Sequence, residues 1–96
     1  SSRLSFIRAE GDSMAPTLSD GDDILVDESD AADRLRDGIY VLRIDDSLVV
    51  KRLAISPAGG SLTIKSDNPA YPDWTGFDAS SVAIIGRVVW AGRKVV

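Results

Sequence analysis

The sequence predicts an all-β domain. Short runs of β-branched and aliphatic residues recur between turn signals, and the i, i+3, i+4 apolar spacing of an amphipathic helix is nearly absent. Gly, Pro, Asn and Asp gather at the breaks between runs, where tight turns between short antiparallel strands need them. At 96 residues the chain forms one domain. A chain of that size buries roughly 60–70% of its unfolded surface, enough for a single core without cross-links.

The elements follow in order. Leu4–Arg8 is the first strand, after which Gly11-Asp12-Ser13-Met14 makes a bend and Asp20-Gly21-Asp22 turns the chain into a strand at 24–26. An acidic, Ala-containing connection over 27–38 has room for one helical turn. Strands at 39–44 and 47–55 flank Asp45-Asp46, a two-residue link that closes a tight hairpin. Pro57-Ala58-Gly59-Gly60 turns the chain into 61–65, and Ser66-Asp67-Asn68-Pro69 stops that strand. Tyr71-Pro72-Asp73-Trp74 reads as an irregular loop. The longest apolar stretch, 82–90, is a strand that Ala91-Gly92 separates, as a tight turn, from a short end at 94–96.

Composition excludes several functions. A net charge of −4 with scattered basic residues argues against this chain gripping a phosphate backbone, so contact with nucleic acid must come from another segment or a partner. No stretch approaches the ~20 apolar residues of a membrane span, and no basic-then-apolar leader opens the chain. The absence of cysteine fits a reducing cytoplasm. A first residue of Ser rather than Met reads as a piece of a longer polypeptide. Zinc is not expected without His or Cys, and no Gly-rich phosphate cradle occurs, so neither a metal nor a cofactor is expected. Asp20, Asp22, Asp23, Asp27, Glu28 and Asp30 read as a solvated surface, because the glycine falls at the wrong place for a calcium loop. Trp74 and Trp90 read as packing residues.

With no His and no Cys, a hydrolase on this chain must activate a serine with another base. Ser13, held at the bend of Gly11-Asp12-Ser13-Met14-Ala15-Pro16, can turn its hydroxyl and the adjacent backbone N–H groups toward one substrate carbonyl. Lys51, in Val49-Val50-Lys51-Arg52-Leu53, shares a strand face with Val49 and Leu53. Burial on that face disfavours the ammonium and lowers a lysine pKa by as much as ~3–5 units. The chemistry requires such a shift, since at the ordinary value near ~10.4 only about one amine in a few thousand is neutral at neutral pH. The bland alternative makes Lys51 and Arg52 edge-strand charges and Ser13 a turn cap.

Joint context decides between these readings. Gly11-Asp12-Ser13-Met14-x-Pro16-Thr17-Leu18-x-Asp20-Gly21-Asp22 and Val49-Val50-Lys51-Arg52-Leu53 resemble the nucleophile motif and the lysine strand of the C-terminal peptidase domain shared by LexA, UmuD and many phage-type repressors, itself related to type I signal peptidases. Ser66-Asp67-Asn68-Pro69-x-Tyr71 and Ile85-Gly86-Arg87-Val88 match its tail, so the resemblance covers nearly the whole chain. It implies a mostly β fold of short antiparallel strands and hairpins, with Ser13 as nucleophile and Lys51 as general base. The Ser13 N–H, with that of Met14 or Asp12, would form the oxyanion hole. The implied substrate is a peptide bond, usually Ala-Gly or Cys-Gly, in the chain's own linker to an upstream DNA-binding domain. Cleavage there would inactivate a cytoplasmic repressor, with a recombinase filament as a candidate trigger.

Two features depart from the family's pattern. LexA-type members can place a hydroxyl two positions before the lysine, where this chain has Val49, so the amine is expected to be held less firmly or by another group. Only 12 residues precede Ser13, with no Ala-Gly among them, which puts the substrate segment upstream of this chain. Ala58-Gly59 and Ala91-Gly92 read as structural turns. Val88, Val89, Trp90, Val95 and Val96 concentrate apolar surface at the chain's end, as a sheet edge that recruits a partner would, and the resemblance implies homodimerisation there. Two other classes stay open: a binding module that keeps the fold without cutting, and a signal-peptidase-like enzyme acting in trans.

Overall fold

Alternation sets the strands, and long-range pairing sets their order. The computed structural model describes residues 3–30, 35–57, 59–93 and 95. Among the described residues there are seven strands, β1 (Leu4–Arg8), β2 (Asp23–Asp27), β3 (Gly38–Ile44), β4 (Ser47–Ile55), β5 (Ser61–Lys65), β6 (Trp74–Asp78) and β7 (Ala83–Gly92), with a 3-10 turn at Ala79–Ser81 before β7. They form one sheet in the order β1-β2-β7-β3-β4-β5-β6, every neighbouring pair antiparallel. Among the described residues there is no α-helix, as the sequence predicts.

The hairpin closes as expected. Ile44 pairs with Ser47 across Asp45-Asp46, and Asp45 takes φ 54, a left-handed conformation that Asp tolerates better than most side chains. Hydrophobic residues on alternate positions then build two clusters. Met14, Leu18, Ile24, Val26 and Val41 form one, and Tyr40, Leu42, Leu53, Leu62 and Ile64 the other. Strand β3 feeds both, burying Tyr40, Val41 and Leu42 in succession, which an antiparallel strand does only when both its faces are covered.

Three expectations need correction. Trp74 is not the end of a loop but the first residue of β6, whose five residues are all exposed; a solvated edge strand carries no alternation to read. Ala91-Gly92 is not a turn, since β7 runs through Gly92, paired to Asp23 and Ile24 of β2. Nor is β7 at an edge: it lies between β2 and β3. Residues 31–34 of the connection over 27–38, for which one helical turn is expected, lie outside the described residues, as does Ala58.

The acidic cluster is also not uniformly solvated. Asp22 is buried, accepts the Ser19 N–H at 2.9 Å and lies 3.4 Å from Arg93 Nε. Asp20 accepts the Gly11 N–H at 2.7 Å. These carboxylates therefore shape the loop between β1 and β2, the segment that carries Ser13.

Candidate active site

That loop leaves β1 at Ala9, turns at Gly11 (φ 83), and is closed by the Ala9 N–H to Asp22 O and Gly21 N–H to Ala9 O bonds, both 2.8 Å. Met14 and Leu18 anchor it in the first cluster. Between them the Ala15 N–H donates to Asp12 O at 3.1 Å and the Leu18 N–H to Met14 O at 2.9 Å. The N–H groups of Asp12, Ser13 and Met14 have no such partner among the described residues.

Lys51 sits in mid-β4, opposite Tyr40, and only 9% of it is exposed. Ser13 and Lys51 line one cavity of about 260 Å³, walled by Ile7, Met14, Leu18 and Val50. Lys51 Nζ donates at 2.9 Å to Ser66 Oγ, and Ser13 Oγ has no hydrogen bond among the described residues. Burial pushes the Lys51 pKa below the usual lysine value, because a low-dielectric wall penalises the ammonium. The Tyr71 and Trp74 rings, with centres 5.8 Å and 5.7 Å from Nζ, act in the opposite sense by favouring the cation.

The segment 66–71 ties the two halves together. The Asn68 N–H donates to Ser13 O and its side-chain amide to Asp12 O, both at 3.0 Å. Tyr71 OH donates to Asp12 Oδ1 at 2.5 Å, which raises the tyrosine pKa. Asp67 accepts from Arg52 Nε at 2.7 Å and from Thr17 Oγ1 at 2.5 Å. Arg52 holds the Asp67 carboxyl below the ordinary range, with Thr17 adding to the effect.

Sequence reasoning places Ser66 in a strand-ending turn and in the family-like tail motif but gives it no part in the site. The signal that sets it beside the lysine is register: β4 and β5 pair Arg52 with Lys65, so one more step sets Ser66 across from Lys51. A hydroxyl from the adjacent strand thus stands where Val49 offers none.

The residues named for dimerisation divide. Val88 packs partly against the first cluster, whereas Val89 (50%), Trp90 (52%) and Val95 (98%) are exposed; Val96 lies outside the described residues. Register aligns Phe6, Leu25 and Trp90 across three strands, and the Phe6 and Trp90 rings meet edge to face at 6.4 Å. With Leu4, the exposed Phe6 and Trp90 form an apolar patch on the sheet face that runs from the edge strand β1 across β2 to β7.

Among the described residues no group of His, Cys, Asp and Glu could hold a metal ion, and no helix is long and apolar enough to cross a membrane.

A family model described as Peptidase S24-like matches residues 1–89. Among curated proteins, the chain is 37% identical over 90 residues to an uncharacterized HTH-type transcriptional regulator of Haemophilus influenzae, covering 92% of this chain and 37% of that protein. It is 39% identical over 83 residues to the repressor protein CI of Enterobacteria phage phi80, covering 85% of this chain and 34% of the repressor. A 26 kDa repressor protein of Escherichia phage HK022 is 41% identical over 71 residues, 74% of this chain and 29% of that one. The chain spans about a third of the length of these relatives.

Proposed function

The chain belongs to the Peptidase S24-like family, and from that premise we propose that it is the self-cleavage and dimerisation domain of a cytoplasmic transcriptional repressor, a serine endopeptidase that cuts its own upstream linker. The observation that carries the reading is the shared cavity of Ser13 and a buried Lys51 whose pKa is lowered. A neutral Lys51 amine takes the Ser13 Oγ proton as the oxygen attacks the scissile carbonyl, and the carbonyl oxygen gains the negative charge. The N–H of Ser13, with that of Met14 or Asp12, receives this oxyanion; that these donors have no hydrogen-bond partner among the described residues supports the assignment. Collapse expels the amine, which takes a proton from the Lys51 ammonium, and water then releases the acyl group from Ser13 by the same base. DNA is contacted through a separate upstream domain, as the names of its relatives suggest, and a recombinase filament is a candidate trigger.

Dimerisation rests on the patch of Leu4, Phe6, Val89 and Trp90, since apolar surface of this kind on a soluble domain marks an interaction site. The reading without cutting keeps that role alone; that Ser13 Oγ and Lys51 Nζ share no hydrogen bond at rest among the described residues favours it. Mass spectrometry of the full-length polypeptide from neutral to alkaline pH separates the two. Cleavage that accelerates with pH and disappears in Ser13→Ala and in Lys51→Ala supports the dyad; cleavage surviving in either variant refutes it.

A further inference from the structure

Lys51 has no polar neighbour on its own strand face, where Val49 and Leu53 flank it. Across the β3 side, Tyr40 spends its hydroxyl on Arg36 O at 2.8 Å and receives Arg87 Nη1 at 3.0 Å. Among the described residues the hydrogen-bond partner of Lys51 Nζ is Ser66 Oγ at 2.9 Å, itself only 9% exposed. We infer that Ser66 is a positioning residue, which aims the Lys51 amine at Ser13; this deepens the dyad reading and rests on it.

A neutral amine has two N–H bonds and one lone pair, and only the lone pair can accept the serine proton. On a four-carbon stem that lone pair is free to point anywhere, and an amine misdirected by about 1 Å forfeits on the order of 100-fold in rate. One N–H committed to Ser66 removes most of that freedom. Ser66 also begins the segment whose Asn68 holds the carbonyls of Asp12 and Ser13. Base and nucleophile are therefore located from one short stretch of chain.

The charged and titratable groups around the amine are few. Tyr40 faces it from β3, Tyr71 from the 66–71 segment, and Arg8 and Glu10 line the cavity from β1 and the residues after it, while Arg52 points to Asp67. None of them is hydrogen-bonded to Nζ, so the Ser66 bond is the contact whose loss the lysine should register.

The test is the pH–rate profile of self-cleavage in the full-length polypeptide. Removing the acceptor in Ser66→Ala, or weakening it at nearly constant volume in Ser66→Cys, should lower the alkaline plateau about 10- to 100-fold. The same changes should move the rising limb to lower pH, because the ammonium loses an acceptor. A merely structural loss would expose Lys51 and move the limb the other way. Ser66→Thr keeps the hydroxyl and should return within a few-fold of wild type. A plateau and limb unchanged in folded Ser66→Ala or Ser66→Cys, or a Ser66→Thr as slow as both, overturns the assignment. If the wild type does not cut at any pH, the dyad reading falls instead. The Lys51 titration, followed by NMR at its side-chain carbon next to nitrogen, still tests the contact in that case: a pKa unmoved by Ser66→Ala overturns it.

Discussion

Asp67→Ala should destabilise the domain by removing the link between the lysine strand and the nucleophile loop. Asp67 accepts from Arg52 Nε at 2.7 Å, Arg52 Nη2 at 2.9 Å and Thr17 Oγ1 at 2.5 Å. A charge-assisted hydrogen bond with both partners buried contributes about 1.5–3 kcal/mol, and an exposed ion pair about 0–1 kcal/mol. Side-chain exposure is 13% for Asp67 but 39% for Arg52, so solvent screening reduces the pair to about 1 kcal/mol. The Thr17 bond adds about 0.5–1 kcal/mol, giving about 1.5–2 kcal/mol in all. For a domain of this size that lowers Tm by about 6–16 °C.

The sign of the pH dependence is fixed. The Arg52 hydrogen bond, then that of Thr17, lowers the Asp67 pKa in the fold against an opposing effect of burial. The stability this carboxylate contributes is therefore present above its unfolded value near ~3.9 and is lost as pH falls through the depressed folded value. Thermal melts of wild type and Asp67→Ala should differ fully at neutral pH and converge in acid. The Asp78 carboxyl, lowered by its bonds from Ser80, titrates in both proteins and cancels. A double-mutant cycle with Arg52→Ala should return about 1 kcal/mol of coupling. A gap that persists undiminished in acid, or a coupling of zero, would refute the reasoning.

Three further outcomes are expected. Between the lowered Lys51 pKa and the unfolded value near ~10.4 the unfolded chain binds more protons, so stability should rise with pH in wild type relative to Lys51→Met; urea unfolding across that window checks it, and a difference that falls with pH argues against the buried lysine. Gly86→Ala should cost about 1–3 kcal/mol, because a Cβ there would meet Asp27 O and Val26 Cγ1, both at 2.7 Å; an unchanged urea midpoint would show that β7 and β2 can part freely. Trp90→Glu should convert a dimer at micromolar concentration to a folded monomer by sedimentation, since Trp90 is 52% exposed beside Phe6 at 72%; a dimer of unchanged affinity would remove this face as the interface.

What the sequence by itself determined was local. Six strands, the Asp45-Asp46 hairpin and the bend at Ser13 follow from alternation and turn chemistry, which act within a few residues. Lys51 between Val49 and Leu53 was legible as a buried lysine for the same reason. What tertiary structure decided was everything carried by pairing between distant strands. Strand β6 escaped notice because all five of its residues face solvent, so only its ladder to β5 makes it a strand. Strand β7 reads as an edge by composition, yet Gly86 lets it pass close to Val26 and Asp27 and fill the gap between β2 and β3. Asp22 looks like one more surface carboxylate until Arg93 reaches it from the far end of the chain. Ser66 is legible only as a turn residue of a family-like motif; it meets Lys51 because two strands pair in one register, and a single-residue slip would turn its hydroxyl to the opposite face.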